Sequence, residues 1–165
     1  MHFDTPILPN GRAVVSTTFK VDIPAAGISR LGHKDGYFQL TQWYPKPAVY
    51  DVEGWHPMPY LNYGEFYSEF GSFEVNIDVP KNFVVGATGV CQNQEELEWL
   101  DSISTAVKGY RLDEREVKTA DNVRKLLTYK ANNVHDFGWF TGANYWVLTD
   151  EFTIDGREEA IKSYT

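Results

Sequence analysis

An alternation of apolar and polar side chains, with a period of two residues, constrains this sequence more than any other feature. It runs through residues 13–23, where every second side chain is apolar or β-branched, and it returns in residues 73–79. Because successive side chains of a strand point to opposite faces, this period predicts two strands with one face on a core and one in water. Pro80 ends the second strand, since proline has no N–H to donate to a ladder.

Shorter apolar or β-branched stretches separated by turn residues predict further strands. They lie at residues 84–90, 126–131, 134–140 and 145–149. Near the end, residues 151–154 and 157–164 flank Asp155-Gly156, whose tolerance of positive φ predicts a two-residue hairpin turn. Sequential strands with tight turns predict an all-β fold, an antiparallel β-sandwich, as a single domain over residues 1–165.

One segment departs from the strand pattern and predicts a short, peripheral helix. Asn93 stands at the N-cap position with Glu96 three residues later, as in a capping box, and Leu97 and Leu100 share one side at helical spacing. The acidic residues here are expected to form a solvated helix face: Glu95, Glu96, Glu98 and Asp101. The mixed charges of residues 113–125 predict a solvated connector.

Composition limits the possible partners. The 165 residues are 42% hydrophobic, which is enough to bury one core without dividing into two domains. The net charge of -8 argues against nucleic acid or an anionic membrane as the partner, because like charges repel at long range. No apolar run approaches the roughly 18 residues that span a bilayer, so no transmembrane segment is expected. The single cysteine, Cys91, is expected to be buried.

The histidines do not form a zinc motif. None is followed by the glutamate of an H-E-x-x-H sequence, and the four stand far apart, at His2, His33, His56 and His135. A zinc site needs several ligands brought close together, so no metal ligand and no catalytic residue is assigned to this chain. His135 and Asp136 look like a catalytic pair, but neighbours on a strand point to opposite faces, so a structural role is expected.

A set of motifs in order resembles the N-terminal β-sandwich of the aminopeptidase N family of zinc metallopeptidases. The first, Thr41-Gln42-Trp43-Tyr44-Pro45, is similar to the T-Q-x-E-P strand of that family, and an aspartate-containing turn, Tyr50-Asp51, follows it. An extended strand ending in proline, residues 73–80, and an apolar strand, residues 84–89, come next. The resemblance covers residues 19–139 and is greatest to a bacterial branch of the family.

The resemblance implies a division of labour within a larger enzyme. This chain would be a non-catalytic, saddle-like sandwich domain without a cofactor, and it would cap a zinc-bearing catalytic domain, its expected partner together with the peptide substrate. Gln42 matches the family's glutamine that helps to bind the substrate's amino-terminal end. Tyr44 replaces a glutamate that would pair with the substrate's ammonium, and a neutral phenol weakens that charge-assisted contact.

Compartment and assembly are expected to depend on the larger protein. If that bacterial protein is exported or periplasmic, its signal would lie outside this sequence, because residues 1–4 have no basic, signal-like character. Exposed strand edges and aromatic surface predict self-association when the chain is alone.

Two other interpretations stay open. Gln42 also fits the role of a strand residue that satisfies neighbouring backbone groups. The aromatic residues between 43 and 67 favour a carbohydrate-binding or adhesion module, because aromatic platforms on β-sandwiches stack against sugar rings or partner proteins. These residues are Trp43, Tyr44, Tyr50, Trp55, Tyr60, Tyr63, Phe66 and Tyr67. A downstream H-E-x-x-H reading frame would favour the peptidase, and a glycosidase domain would favour the sugar module.

Overall fold

The computed structural model describes residues 5–25, 30–59, 61, 63–64, 66–106, 122–154 and 157–164. This part of the chain is mostly β and contains one short helix. Its elements in chain order are β1 (Leu31–Lys34), β2 (Tyr37–Leu40), β3 (Val49–Asp51), β4 (Gly54–His56), β5 (Gly71–Pro80), β6 (Val84–Ala87), β7 (Val90–Cys91), α1 (Gln94–Ile103), β8 (Thr105–Ala106), β9 (Arg124–Val134), β10 (Trp139–Gly142), β11 (Val147–Ile154) and β12 (Arg157–Tyr164).

Two antiparallel sheets supply the main core. One has the strand order β1-β2-β10-β6 and the other β5-β9-β7. One cluster of buried side chains draws members from both sheets: Ile77, Val79, Val85, Cys91, Leu127, Tyr129 and Phe137. The predicted burial of Cys91 is confirmed. A third sheet has the order β12-β11-β8, with β8 parallel to β11, and β3 pairs only with β4 among the described strands.

The strand predicted at residues 73–79 is confirmed as part of β5, and its alternation matches its burial. Ile77 and Val79 are buried, Phe73 and Val75 are half-buried, and the polar residues between them are exposed. β5 pairs with β9, and Ile77 lies opposite Leu127. This face is buried because its apolar side chains pack in the main core against Val85 and Phe137, which lie outside this sheet.

The strand predicted at residues 13–23 is wrong. The chain runs from residue 11 to residue 24 without a helix, turn or sharp bend, but it forms no ladder with any described residue. It is linked to β1 by an isolated bridge between Ala25 and His33, where the His33 amide donates to the Pro24 carbonyl at 2.9 Å. Alternation determines which side chains share a face, whereas a strand also needs a neighbour for its backbone groups.

The predicted helix is confirmed as α1, but the predicted capping box is wrong. Asn93 is the N-cap residue without a side-chain cap hydrogen bond. Its side chain instead bridges to β9, accepting from the Thr128 amide at 2.7 Å and donating to the Leu126 carbonyl at 3.1 Å. Leu100 of the helix lies in a second buried cluster with Val84 and Val147, so one face of the helix is packed, while Glu95 and Glu98 on it are exposed.

Glu96 does not belong to a solvated helix face, so that expectation is wrong for this residue. Its side chain is 5% exposed, and its two carboxylate oxygens accept hydrogen bonds from Lys125 Nζ at 2.6 and 2.8 Å. The same ammonium group lies 4.0 Å from the centre of the Trp99 ring. A buried charge needs a partner, and Lys125, near the start of β9, supplies it.

The remaining predicted strands are found with adjusted boundaries. Residues 84–90 divide into β6 and β7, residues 126–131 lie in β9, and residues 145–149 enter β11. The prediction of one strand over residues 134–140 is wrong, because residues 135–138 form a bend and an irregular stretch between β9 and β10.

The C-terminal hairpin is confirmed by the pairing of β11 with β12. Ile154 lies opposite Arg157, the register that a two-residue turn requires. The turn residues, Asp155 and Gly156, lie outside the described residues, as does the predicted connector up to residue 121. Residues 124–125 of that connector belong to β9. No described helix is long and apolar enough to cross a membrane.

Candidate functional site

The motif at residues 41–45 forms a turn after β2, so the prediction of a strand there is wrong. β2 ends at Leu40, and both the amide and the hydroxyl of Thr41 donate to the Arg30 carbonyl. Gln42 then adopts a positive φ of 58°, in the left-handed region that interrupts an extended strand. The chain therefore leaves the sheet directly after β2.

Two side chains from this turn, and that of Lys46 directly after it, converge on the carboxylate of Asp136. Gln42 Nε2 donates to Oδ2 at 3.2 Å, Tyr44 Oη donates to Oδ1 at 2.9 Å, and Lys46 Nζ lies 2.9 Å from Oδ2. The Phe137 amide donates to Oδ1 at 2.7 Å. Asp136 lies between β9 and β10, 94 residues from Gln42 in sequence. We call Gln42, Tyr44, Lys46 and Asp136 the Asp136 cluster.

The Asp136 carboxylate is ionised and compensated. Burial opposes its ionisation, but the hydrogen bonds from Lys46, the Phe137 amide and Tyr44 outweigh this effect and hold the pKa of Asp136 below its usual range. The side chains of Lys46 and Asp136 are 19% and 20% exposed, so their ion pair is mostly shielded from water. The cluster is therefore a nearly charge-neutral centre with matched donors and acceptors.

Tyr44 is a neutral phenol within this cluster. Burial raises the pKa of Tyr44 far above its usual value, and the hydrogen bond to Asp136 adds to the increase. Its ring packs edge-on against the rings of Trp43 and Phe73, with centroid distances of 5.2 and 5.9 Å. At neutral pH its hydroxyl is held as a donor to Asp136.

An open cleft of about 680 Å³ lies beside the Asp136 cluster, and Thr41, Asp136 and His135 contribute to its lining. The His135 ring packs edge-on against Phe70 at a centroid distance of 5.7 Å. His135 and Asp136 thus have different partners, but they lie between β9 and β10, so the prediction that they are neighbours on a strand is wrong. At Gly138 a Cβ atom would lie 3.0 Å from Thr41 Cγ2, so glycine lets the wall of the cleft approach the turn closely.

A second polar cluster lies on the β3–β4 hairpin. His56 Nε2 is 2.8 Å from Asp51 Oδ1, and the Tyr67 hydroxyl donates to Asp51 Oδ2 at 3.4 Å. The hydrogen bond with His56, and then the one from the Glu53 amide, lower the pKa of Asp51. His56 looks isolated in the sequence, but the hairpin gives it a carboxylate partner five positions earlier.

The aromatic residues between 43 and 67 divide into different environments. Trp43 and Tyr44 pack against the main core. Tyr50 and Trp55 lie opposite each other on β3 and β4, exposed, with ring centroids 5.0 Å apart. Tyr60 lies outside the described residues. The described members of this set therefore do not share one environment: Tyr50 and Trp55 form an exposed pair, and Tyr63 and Tyr67 are exposed as well.

Sequence reasoning missed Asp136 and Lys46 as members of the site. Both are charges in apolar surroundings, because Lys46 stands between Pro45 and Pro47 and Asp136 precedes the buried Phe137. A shielded charge requires a partner, so the joint presence of one acid and one base in such surroundings was the available signal. Their pairing, across 90 positions of sequence, is a property of the fold.

No family model, curated protein or solved structure matches this chain in the three comparisons made. Among the described residues, no three or more His, Cys, Asp or Glu side chains come close enough together to hold a metal ion. The function is therefore proposed from the sequence motifs, the geometry of the Asp136 cluster and the exposed pair Tyr50 and Trp55.

Proposed function

We propose that this chain is the non-catalytic N-terminal domain of an aminopeptidase-N-like zinc metallopeptidase. In this role it caps the catalytic domain and helps to position the amino-terminal end of a peptide substrate. The observation that carries the proposal is the convergence of Gln42 and Tyr44 on the carboxylate of Asp136, the member of the cluster that lines the open cleft. These are the two residues that match the substrate-contacting strand of the family, and a binding side chain works best when its neighbours hold it in place.

The hydrogen bond to Asp136 orients the side-chain amide of Gln42. An ionised carboxylate only accepts hydrogen bonds, so the amide nitrogen of Gln42 is the atom that faces Asp136. The carbonyl oxygen of Gln42 is then the atom left to accept a hydrogen bond from a substrate's ammonium group. Gln42 is only half-buried, so a ligand can reach it.

Tyr44 supports this role without adding charge. Its hydroxyl donates to Asp136, and Lys46 compensates the charge of that carboxylate. The cluster therefore offers an ammonium group hydrogen bonds but no net negative charge, unlike the glutamate of the family. We expect this position to hold the substrate's amino terminus by hydrogen bonding and not by an ion pair.

The fold is compatible with the same assignment. We infer that the sheets β1-β2-β10-β6 and β5-β9-β7 form an antiparallel β-sandwich, since side chains from both build the main core. In the larger enzyme, the zinc ion and the glutamate base that hydrolyse the peptide bond would belong to the catalytic domain. The residues of this chain would bind and orient the substrate.

The gene beyond this chain provides the first test. The proposal requires a downstream reading frame with an H-E-x-x-H sequence and a distal glutamate ligand. A gene in which no such frame follows would refute it.

The second test uses the enzyme encoded by that gene. Gln42→Ala is expected to lower kcat/KM for peptides with a free amino terminus about ten- to a hundredfold, through loss of a hydrogen bond to a charged group worth about 1.5–3 kcal/mol. Gln39→Ala, which removes an exposed glutamine from β2, is the matched control and should leave kcat/KM unchanged. If the two variants behave alike, Gln42 is a structural residue.

A second function, a carbohydrate-binding or adhesion module, is favoured by the exposed pair Tyr50 and Trp55. Exposed aromatic rings of this kind stack on the apolar faces of sugar rings. Titration of the chain with a panel of oligosaccharides tests this function, with Trp55→Ala expected to abolish binding. Tyr63→Ala, which removes another exposed aromatic ring, is the control that should bind normally. Absence of binding to the whole panel would reject this second function.

A further inference from the structure

Residues 11–24 have the side-chain pattern of a strand but lack a strand partner among the described residues. The segment is free of turns and sharp bends, and residues 13–23 make no backbone hydrogen bond to another described backbone group. Val15 and Phe19, members of its apolar set, are exposed. A straight segment with open backbone groups is a template for pairing with another chain.

The contact with β1 determines which backbone groups are open. The His33 amide donates to the Pro24 carbonyl, so the backbone groups of Pro24 and of the other even-numbered residues point toward the β1 side. Since these directions alternate along an extended chain, the backbone groups of Phe19, Val21 and Ile23 point to the opposite, open edge.

The inner face of the segment is already anchored to the domain. The Phe19 ring lies 6.1 Å from that of Trp43, and Val21 and Ile23 are half-buried. The outer face carries Lys20 and Asp22, whose side chains are 86% and 89% exposed and whose Nζ and Oδ1 atoms lie 3.1 Å apart within the chain. An ion pair this exposed contributes about 0–1 kcal/mol, so its charges can exchange partners. The segment is therefore held on one face, solvated on the other, and unpaired along one edge as far as the described residues extend.

Charge complementarity selects a second copy of this chain as the occupant of that edge. In an antiparallel pair centred on Val21, Lys20 of each copy lies opposite Asp22 of the other, and Phe19 lies opposite Ile23. Moving the centre by one residue would place Lys20 opposite Lys20, or Asp22 opposite Asp22. Like charges directly opposite each other destabilise a ladder, whereas opposite charges stabilise it.

Two further features agree with this register. The pairs Lys20–Asp22 and Thr18–Pro24 become the non-hydrogen-bonded pairs, so Pro24 is not required to donate an amide, and the charged side chains stand at the closer of the two spacings. Residues 11–24 contain Arg12, Lys20 and Asp22, a local net charge of +1 in a chain of net charge -8. Two copies thus approach with less repulsion here than through their acidic surface.

We propose that the chain forms a two-fold symmetric dimer through an antiparallel ladder between residues 17–25 of two copies. Sedimentation equilibrium of the whole chain over a wide concentration range is expected to show a reversible monomer–dimer equilibrium. The measured dissociation constant, Kd, is the quantity that the variants should change.

Charge reversal tests the register. Lys20→Asp and Asp22→Lys each replace two opposite-charge pairs of the dimer with two like-charge pairs, and each is expected to raise Kd about tenfold. The double variant Lys20→Asp/Asp22→Lys restores both pairs and should return Kd to within about twofold of the original value. Lys34→Asp makes the same change of charge at an exposed position of β1 and is the control that should leave Kd nearly unchanged.

Hydrogen exchange tests which edge is used. With increasing concentration, the amides of Phe19, Val21 and Ile23 are expected to become protected, while those of Lys20 and Asp22 continue to exchange rapidly. A chain that stays monomeric at every concentration would overturn the proposal. So would a dimer whose Kd ignores the charge swap, or one that protects amides elsewhere.

Discussion

Removal of the Asp136 carboxylate is expected to destabilise the domain far more than removal of an exposed carboxylate. Asp136→Ala takes away the acceptor that Gln42, Tyr44, Lys46 and the Phe137 amide share. Asp78→Ala is the matched control, because Asp78 also forms an ion pair, with Arg124 at 2.8 Å. Both variants replace an aspartate with alanine, so they differ only in the surroundings of the carboxylate that is removed.

The magnitude follows from the burial of each pair. Breaking a fully buried ion pair costs about 3–5 kcal/mol, because one charge is left without a partner. The side chains of Lys46 and Asp136 are 19% and 20% exposed, so water recovers part of this loss and the expected cost is about 2–4 kcal/mol. The side chains of Arg124 and Asp78 are 56% and 57% exposed, and an exposed pair contributes about 0–1 kcal/mol.

Urea unfolding of the original protein and the two variants, followed by tryptophan fluorescence and far-UV circular dichroism, measures how much stability each variant loses. The urea midpoint should fall strongly for Asp136→Ala and little for Asp78→Ala, with the same m-value in each case. Equal shifts of the two midpoints would refute the reasoning, because the Asp136 carboxylate would then contribute no more than a solvated surface charge.

Three other perturbations probe charge and metal. Lys125→Met leaves Glu96 buried without its partner and should lower the free energy of unfolding, measured in urea, by about 3–5 kcal/mol. Adding Glu96→Leu should recover most of that loss, and a double variant as unstable as the single one would contradict this reasoning. Because the pKa of Asp136 is lowered by folding, the unfolded state takes up a proton at a higher pH than the folded state does, at about pH 4. The original protein should therefore be more stable than Asp136→Asn by the full amount above about pH 4. This difference in the free energy of unfolding should disappear as the pH falls through the lowered pKa. An advantage that persists in strong acid would argue against this ion pair. The chain alone should bind no stoichiometric zinc and cleave no aminoacyl reporter; metal analysis that finds one tightly held zinc ion, with cleavage, would overturn that expectation.

The sequence by itself determined those elements whose signal is local. The alternation in residues 73–79 identified β5 and its buried face, because Ile77 and Val79 need only one apolar side of a sheet. The Asp155-Gly156 pair and the flanking β-formers identified the hairpin of β11 and β12 with its register. Helical spacing identified α1. In each case the sequence signal lies within a short window of the chain, although β5 also needs its distant partner strand β9.

Local patterns failed where a neighbour from elsewhere decided the outcome. Residues 13–23 alternate as regularly as β5 does, but no described strand pairs with them. The Thr41-Gln42 motif suggested a strand, yet the chain turns at Gln42, where φ is positive. Asn93 has the identity and position of a capping residue, but its side chain forms hydrogen bonds with the backbone of β9 and not with the helix. The competing partners in β9 are more than thirty residues distant, so no short window of sequence contains them.

Only the tertiary structure decided how the charged groups are paired. Asp136 meets Gln42 and Tyr44 across 94 and 92 residues, and Glu96 meets Lys125 across 29. The sequence shows that such charges are present and that burial would require partners for them. Which acid meets which base depends on the sheet register and on the turns that place distant segments side by side. Side-chain period is a property of the local backbone, whereas an ion pair is a distance between two points that only the whole fold sets.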